Sequence, residues 1–187
     1  KNLYAFGEGG SVTCDNEAYF KHMTRLKNQG CDRRYYHDEI GYNYRLEGLQ
    51  GAVLSVSLKL LPQWTARRRE IGERYHREIT NPMITMQYHP ANTEPVYHLF
   101  VITVSDHDDF VEYMANQNVE CHQHYPVPCH LQNAYKFLGY KEGDCPNAEY
   151  LASHCVTLPL FPEMRDDEVS RVIELCNLYP GAGKWKK

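Results

Sequence analysis

The sequence predicts an α+β chain, with helices layered on a small sheet, and three stretches carry that expectation. Leu46, Leu49, Ala52, Val53, Val56 and Leu60 recur at three- and four-residue spacings, and the pattern resumes through Trp64, Ile71, Tyr75 and Ile79, as one face of a long helix requires. Residues 96–104, Val-Tyr-His-Leu-Phe-Val-Ile-Thr-Val, are β-branched and aromatic enough for a largely buried strand. Val169, Val172, Ile173 and Cys176 mark a last amphipathic helix from about Asp166 to Leu178.

The remaining elements follow from caps and breakers. Gly7 to Thr13 reads as a glycine turn entering a short strand, after which Asp15 or Asn16 caps a helix over about residues 16–29 and Gly30 ends it. Residues 31–44 have no clean period and are crowded with Tyr35, Tyr36, His37, Tyr42 and Tyr44, the kind of loop that lines a site. Pro62 should kink or interrupt the long helix, which stops at Thr80-Asn81-Pro82, and a domain transition is expected inside that helix or just after it. Asp106 looks like the cap of a helix over about 107–118, followed by a short strand near 119–124. Five prolines, at 126, 128, 146, 159 and 162, then punctuate short helices and extended pieces, and the tail 180–187 is expected to be loose.

Composition bounds the function. With 42% hydrophobic and 24% charged residues in 187, this is a folded chain rather than a low-complexity tail. A net charge of −4 gives no general attraction for nucleic acid, and the basic runs Arg67–Arg69 and Lys184–Lys187 read as solvated surface. No apolar run approaches membrane-spanning length and Lys1-Asn2-Leu3 lacks a signal-peptide pattern, so a cytoplasmic protein without membrane contact is expected. Seven cysteines in irregular spacing read as reduced thiols. Fifteen tyrosines against six Phe suit half-buried positions where a ring packs and a hydroxyl meets a polar ligand or an interface. The sequence has no initiating Met and opens on Gly-rich sequence, so it reads as part of a longer protein.

Five motifs in order bring a specific resemblance. Lys1-Asn2-Leu3 with Gly7-Glu8-Gly9-Gly10 is similar to the lysine motif of the DegT/DnrJ/EryC1/StrS family of pyridoxal 5'-phosphate (PLP) sugar aminotransferases. Gly41-Tyr42-Asn43-Tyr44-Arg45-Leu46, Tyr97-His98-Leu99-Phe100, His124-Tyr125-Pro126 with Pro128 to Gln132, and Leu158-Pro159-Leu160-Phe161-Pro162 agree in order and spacing. The resemblance implies the α/β PLP-dependent transferase fold type I, with residues 1–62 finishing the large PLP-binding domain and 63–187 forming the small C-terminal α+β domain. Tyr4 stands where many relatives have Gly, a departure that touches pocket detail rather than the lysine.

The same resemblance implies roles. Lys1 is the residue that would join the cofactor aldehyde as a Schiff base and then shuttle the proton, which requires its pKa to fall from about 10.4 towards neutrality. Asn43 would contact the PLP phosphate of a neighbouring subunit in a homodimer, its place before a helix N-terminus suiting an anion; a plain cap or turn residue is the bland alternative. Arg45 is a nearby cation for a phosphate or carboxylate, or else a structural ion pair. His124 and Tyr125 resemble residues that contact the sugar in members acting at the 3-position of a nucleotide-linked keto sugar, with glutamate or glutamine as amino donor. His98 and His130 are more ordinarily packing residues. Relatives that dehydrate sugars carry His at the lysine position, against which Lys1 argues. A rival from another class is a non-catalytic, metal-stabilised binding module built on Cys121, His122, His124, Cys129 and His130, although their spacing is not that of paired zinc knuckles.

Overall fold

The structure is a computed structural model and describes residues 2–185. The chain divides into two compact units, one ending at Pro62 and one beginning at Gln63.

In the first unit, α1 (Glu17–Leu26) starts where Asn16 Oδ1 accepts from the amides of Ala18 and Tyr19, satisfying two donors the helix leaves unpaired. The helix ends four residues before Gly30. That glycine adopts φ +70°, and the Glu39 carbonyl oxygen lies so close that a Cβ there would sit 1.8 Å from it. The close approach folds the following loop back on the helix end. The amides of Tyr42 and Tyr44 donate to Leu26 and Lys27 carbonyls at 2.7 and 2.9 Å, while Gln29 donates to Tyr42.

Ser11 to Thr13 do not form the expected strand: they are exposed and have no ladder partner among the described residues. α2 (Gly48–Glu78) begins two residues later than the apolar spacing suggested, and it runs unbroken through Pro62. A single proline removes one i to i−4 hydrogen bond, and the turns on either side hold the helix. Among its described residues this unit buries only Gly30, Cys31 and Ser57. Leu49, Val56, Leu58 and Leu60 on α2 are exposed, so its first half is apolar on several faces, the pattern of a helix enclosed within a larger protein.

The second unit is built on a three-stranded antiparallel sheet in the order β1 (Ile84–Met86), β2 (Phe100–Val104), β3 (Cys155–Leu158). Phe100 pairs with Leu158 and Ile102 with Val156, while Ile84 lies opposite Val104. Phe100, Ile102 and Val104 alternate into the core, joined by Ile71 and Tyr75 from α2, Phe110 and Met114 from α3 (His107–Asn116), and Val169, Val172 and Cys176 from α5 (Asp166–Leu178). Asp106 caps α3 as expected, accepting from the Asp109 amide at 3.0 Å, and Glu168 reaches back to the Arg165 amide at 2.9 Å to open α5. α4 (Pro146–His154) precedes β3.

Several expectations are corrected. β2 begins at Phe100 rather than 96, because Tyr97 takes a left-handed φ of +42° that a strand cannot carry. The strand near 119–124 reduces to one bridge, His122 with Thr157. The tail is not loose as far as Trp185. The Asp109 carboxylate accepts from Gly183 N at 3.0 Å, from Trp185 Nε1 at 2.9 Å and from Tyr179 Oη at 2.8 Å, and the Trp185 ring packs against Tyr113. Nor is Arg67–Arg69 solvated surface: all three donate to main-chain carbonyls, of Met164, Leu160 and Pro95 respectively.

Candidate functional site

The second unit holds a cleft of about 620 Å³, walled by the loop 117–124, β3, the segment 158–164 and the first turns of α5. Thr157 on β3 organises its polar side. Its backbone exchanges two hydrogen bonds with His122, at 3.1 and 2.7 Å, and its hydroxyl lies 2.9 Å from His124 Nδ1. A single strand residue therefore holds the His122 main chain and the His124 imidazole at the cleft. Tyr125 follows through a cis peptide and stands edge-on to the His124 ring at 5.1 Å, exposed beside the cleft. His98 and Phe161 complete the rim. Imidazole, phenol and hydroxyl groups over an apolar floor suit a ligand with hydroxyls on an apolar ring. Arg171 on the α5 side is paired with Glu174 at 2.8 Å and with Gln117 at 3.1 Å.

Residues behind the cleft hold it in shape, and sequence reasoning missed them. Arg68 is 4% exposed, and its Nη1 donates to the carbonyls of Tyr97 at 3.2 Å and Leu160 at 3.0 Å. Tyr75 Oη donates to Pro159 O at 2.7 Å, and Arg67 Nη2 to Met164 O at 2.7 Å. Burial pushes the Tyr75 phenol far above its usual pKa, which keeps it a donor. A signal was present: Trp64, Arg68, Ile71 and Tyr75 share three- and four-residue spacing, which puts Arg68 on the apolar stripe rather than the wet face.

His130 lies outside the cleft's polar group. Its Nε2 is 2.9 Å from Glu149 Oε1, and the same carboxylate accepts the amides of Gly143 and Cys145, which makes this a clamp on the turn before α4. Those amides, Gly143 first, and then His130, hold the Glu149 carboxyl below the usual range. Cys121 points into the core, where burial pushes its thiol up to about 12, whereas Cys129 is exposed. The Cys/His cluster is thus dispersed by the fold. Among the described residues no three His, Cys, Asp or Glu side chains come together in a way that could hold a metal ion.

Asn43 and Arg45 lie in the first unit, whereas His124 and Tyr125 lie in the second. Tyr42 and Tyr44 stack at 4.9 Å on one side of an extended segment, so Asn43, between them, faces the other way and is exposed. Arg45 Nη1 donates to Asn28 Oδ1 at 3.1 Å. Asn43 lies five residues ahead of α2, further from the helix N-terminus than the apolar spacing suggested. Lys1 lies outside the described residues. No described helix is long and apolar enough to cross a membrane.

Comparison with known proteins gives a consistent result. Residues 1–177 match the model of the DegT/DnrJ/EryC1/StrS aminotransferase family. The chain is 37% identical over 171 residues to the dTDP-3-amino-3,6-dideoxy-alpha-D-galactopyranose transaminase of Aneurinibacillus thermoaerophilus, covering 91% of this chain and 47% of that protein. It is 33% identical to a pleiotropic regulatory protein of Geobacillus stearothermophilus, covering 93% and 48%. Among solved structures, DesV of S. venezuelae in complex with a ketimine intermediate superposes with a TM-score of 0.91 at 32% identity, covering 95% of this chain and 48% of that one. The chain thus spans about half the length of the relatives it matches. With a model match from residue 1 to residue 177, the chain belongs to the DegT/DnrJ/EryC1/StrS aminotransferase family, and its fold is that of the PLP-dependent sugar aminotransferases.

Proposed function

We propose that the protein to which this chain belongs is a PLP-dependent aminotransferase that moves an amino group from glutamate or glutamine to a nucleotide-linked keto-deoxysugar, at the sugar 3-position. The observation that carries the reading is the family match over residues 1–177; the resemblance of Lys1-Asn2-Leu3 with Gly7-Glu8-Gly9-Gly10 to the family's lysine motif supports Lys1 as the anchor. The 3-position is supported by the 3-amino sugar in the name of the Aneurinibacillus relative and by the imidazole and phenol at the cleft.

The donor set in the first unit fits the cofactor. An exposed amide at Asn43 and a guanidinium at Arg45 are hydrogen-bond donors suited to phosphate oxygens, and neither places a carboxylate there. When bound, PLP would supply the electron sink for the carbon that loses its proton. Lys1 would hold and move that proton at the substrate carbon, for which its ε-amine must be neutral for part of the cycle. Asn43 would bind phosphate across a homodimer, while His124 and Tyr125 orient the sugar by its hydroxyls. Residues 1–62 then read as the end of the large PLP-binding domain and 63–187 as the small domain. Like its relatives' chemistry, the activity belongs to the whole cytoplasmic protein and not to this half alone.

Borohydride reduction of the full-length holoprotein should fix a pyridoxyl group on Lys1, and Lys1→Ala should abolish that adduct. An adduct surviving on another lysine would refute the assignment.

A further inference from the structure

We propose that Arg68 is a positioning residue for the sugar side of the reaction: from the buried face of α2 it sets the distance between the two loops that form the cleft rim. The proposal rests on the functional reading above and deepens it.

The cleft rim comes from two loops far apart in sequence. One is Tyr97-His98-Leu99, leading into β2; the other is Pro159-Leu160-Phe161, leaving β3. Neither loop is held there by the sheet, since pairing ends at Phe100 opposite Leu158. One guanidinium nitrogen bridges them directly. Arg68 Nη1 donates to Tyr97 O and Leu160 O, each one residue from a rim side chain, His98 and Phe161. A buried guanidinium is expensive to build, and the two bonds its charged Nη1 makes to main-chain carbonyls are correspondingly strong.

The Tyr97 anchor is tight on its other side as well. Its φ is +42°, and its ring lies where a Cβ on Gly72, one helical turn beyond Arg68, would come within 2.6 Å. Helix α2 thus grips Tyr97 through a glycine that admits the ring and an arginine that holds the carbonyl. Tyr75 repeats the device on the second loop through its bond to Pro159 O. The consequence is specific: loosening Arg68 should blur His98 and Phe161 while leaving the first unit's Asn43 and Arg45 untouched. The sugar half-reaction should suffer and the amino-acid half-reaction should not.

The test uses full-length holoenzyme and follows the two half-reactions separately by cofactor absorbance, one with glutamate and glutamine, the other with dTDP- and UDP-linked 3-amino hexoses. Arg68→Met should raise the half-saturating amino-sugar concentration about tenfold with the amino-acid half-reaction within about twofold, and Arg68→Lys, which keeps a cationic donor, should fall between. Amide exchange in residues 97–100 and 158–161 should quicken in the Met variant. If Arg68→Met does not fold, Tyr75→Phe removes one bond at constant volume and should raise the amino-sugar value about threefold. An unchanged amino-sugar value, or equal damage to both half-reactions, overturns the proposal alone. A wild-type enzyme that takes an amino group from amino acids but from no amino sugar overturns the functional reading and this proposal together.

Discussion

Replacing Asp109 by Asn tests whether one buried carboxylate anchors the C-terminal segment. Oδ2 accepts from Tyr179 Oη and Trp185 Nε1, while Oδ1 accepts from Gly183 N. The side chain is nearly isosteric, so packing is preserved, but an amide nitrogen must replace one of the two oxygens. Whichever way it turns, a donor then faces a donor. If the amide nitrogen takes the Oδ2 place, the Trp185 indole faces a donor and the Tyr179 hydroxyl exchanges its charge-assisted bond for a weaker one in which it accepts. If it turns over, the Gly183 amide is left facing a donor, and every remaining bond loses its charge assistance, a charge-assisted bond being worth about 1.5–3 kcal/mol. The expected destabilisation is about 2–3 kcal/mol, a fall of about 1 M in the urea midpoint. Hydrogen exchange followed by mass spectrometry should show the Gly183 amide losing protection at concentrations of urea too low to unfold the sheet. A midpoint within 0.3 M of wild type, to order of magnitude the noise of such fits, together with unchanged Gly183 protection, would refute the anchoring argument.

Two further predictions follow from electrostatics. The Glu149 carboxyl has a folded pKa below its ordinary value, so its contribution to the turn before α4 is complete above the ordinary carboxylate pKa and lost as pH falls through the lower, folded value. Amide exchange at Gly143 and Cys145, corrected for intrinsic rates, should therefore accelerate on acidification, and Glu149→Gln should show that loss already at neutral pH; pH-independent protection would contradict it. Maleimide should modify Cys129 in the native protein while sparing Cys121, whose thiol pushed up to about 12 loses on the order of a thousandfold in thiolate fraction, and comparable labelling of both would show the core assignment to be wrong. The Lys1 adduct and the split between half-reactions at Arg68 complete the set.

Sequence periodicity was informative wherever one local rule decided the outcome. α5 runs from Asp166 to Leu178 as its apolar spacing indicated, and Asn16 and Asp106 cap their helices because a short polar side chain can reach an amide two or three residues on. It failed where partners are distant. β1 and β3 are three and four residues long and exist because β2 lies between them, so neither carries a pattern of its own. The expected strand at Ser11–Thr13 had the composition but no neighbour among the described residues.

The candidate site divides along the same line. The family resemblance carried by the order of the motifs singled out Lys1, Asn43, Arg45, His124 and Tyr125 as expected site residues. What holds the cleft and the turn before α4 in shape was decided only in three dimensions. Arg68 reads as one of three consecutive arginines until α2 turns it inward, and His130 reads as an ordinary packing residue until Glu149, nineteen residues on, pairs with it. A chain of letters specifies which groups are present and which local turns they favour. Which donor finds which carbonyl depends on the burial that the sheet and its helices create, since only there does an unpaired polar group cost enough to force the pairing.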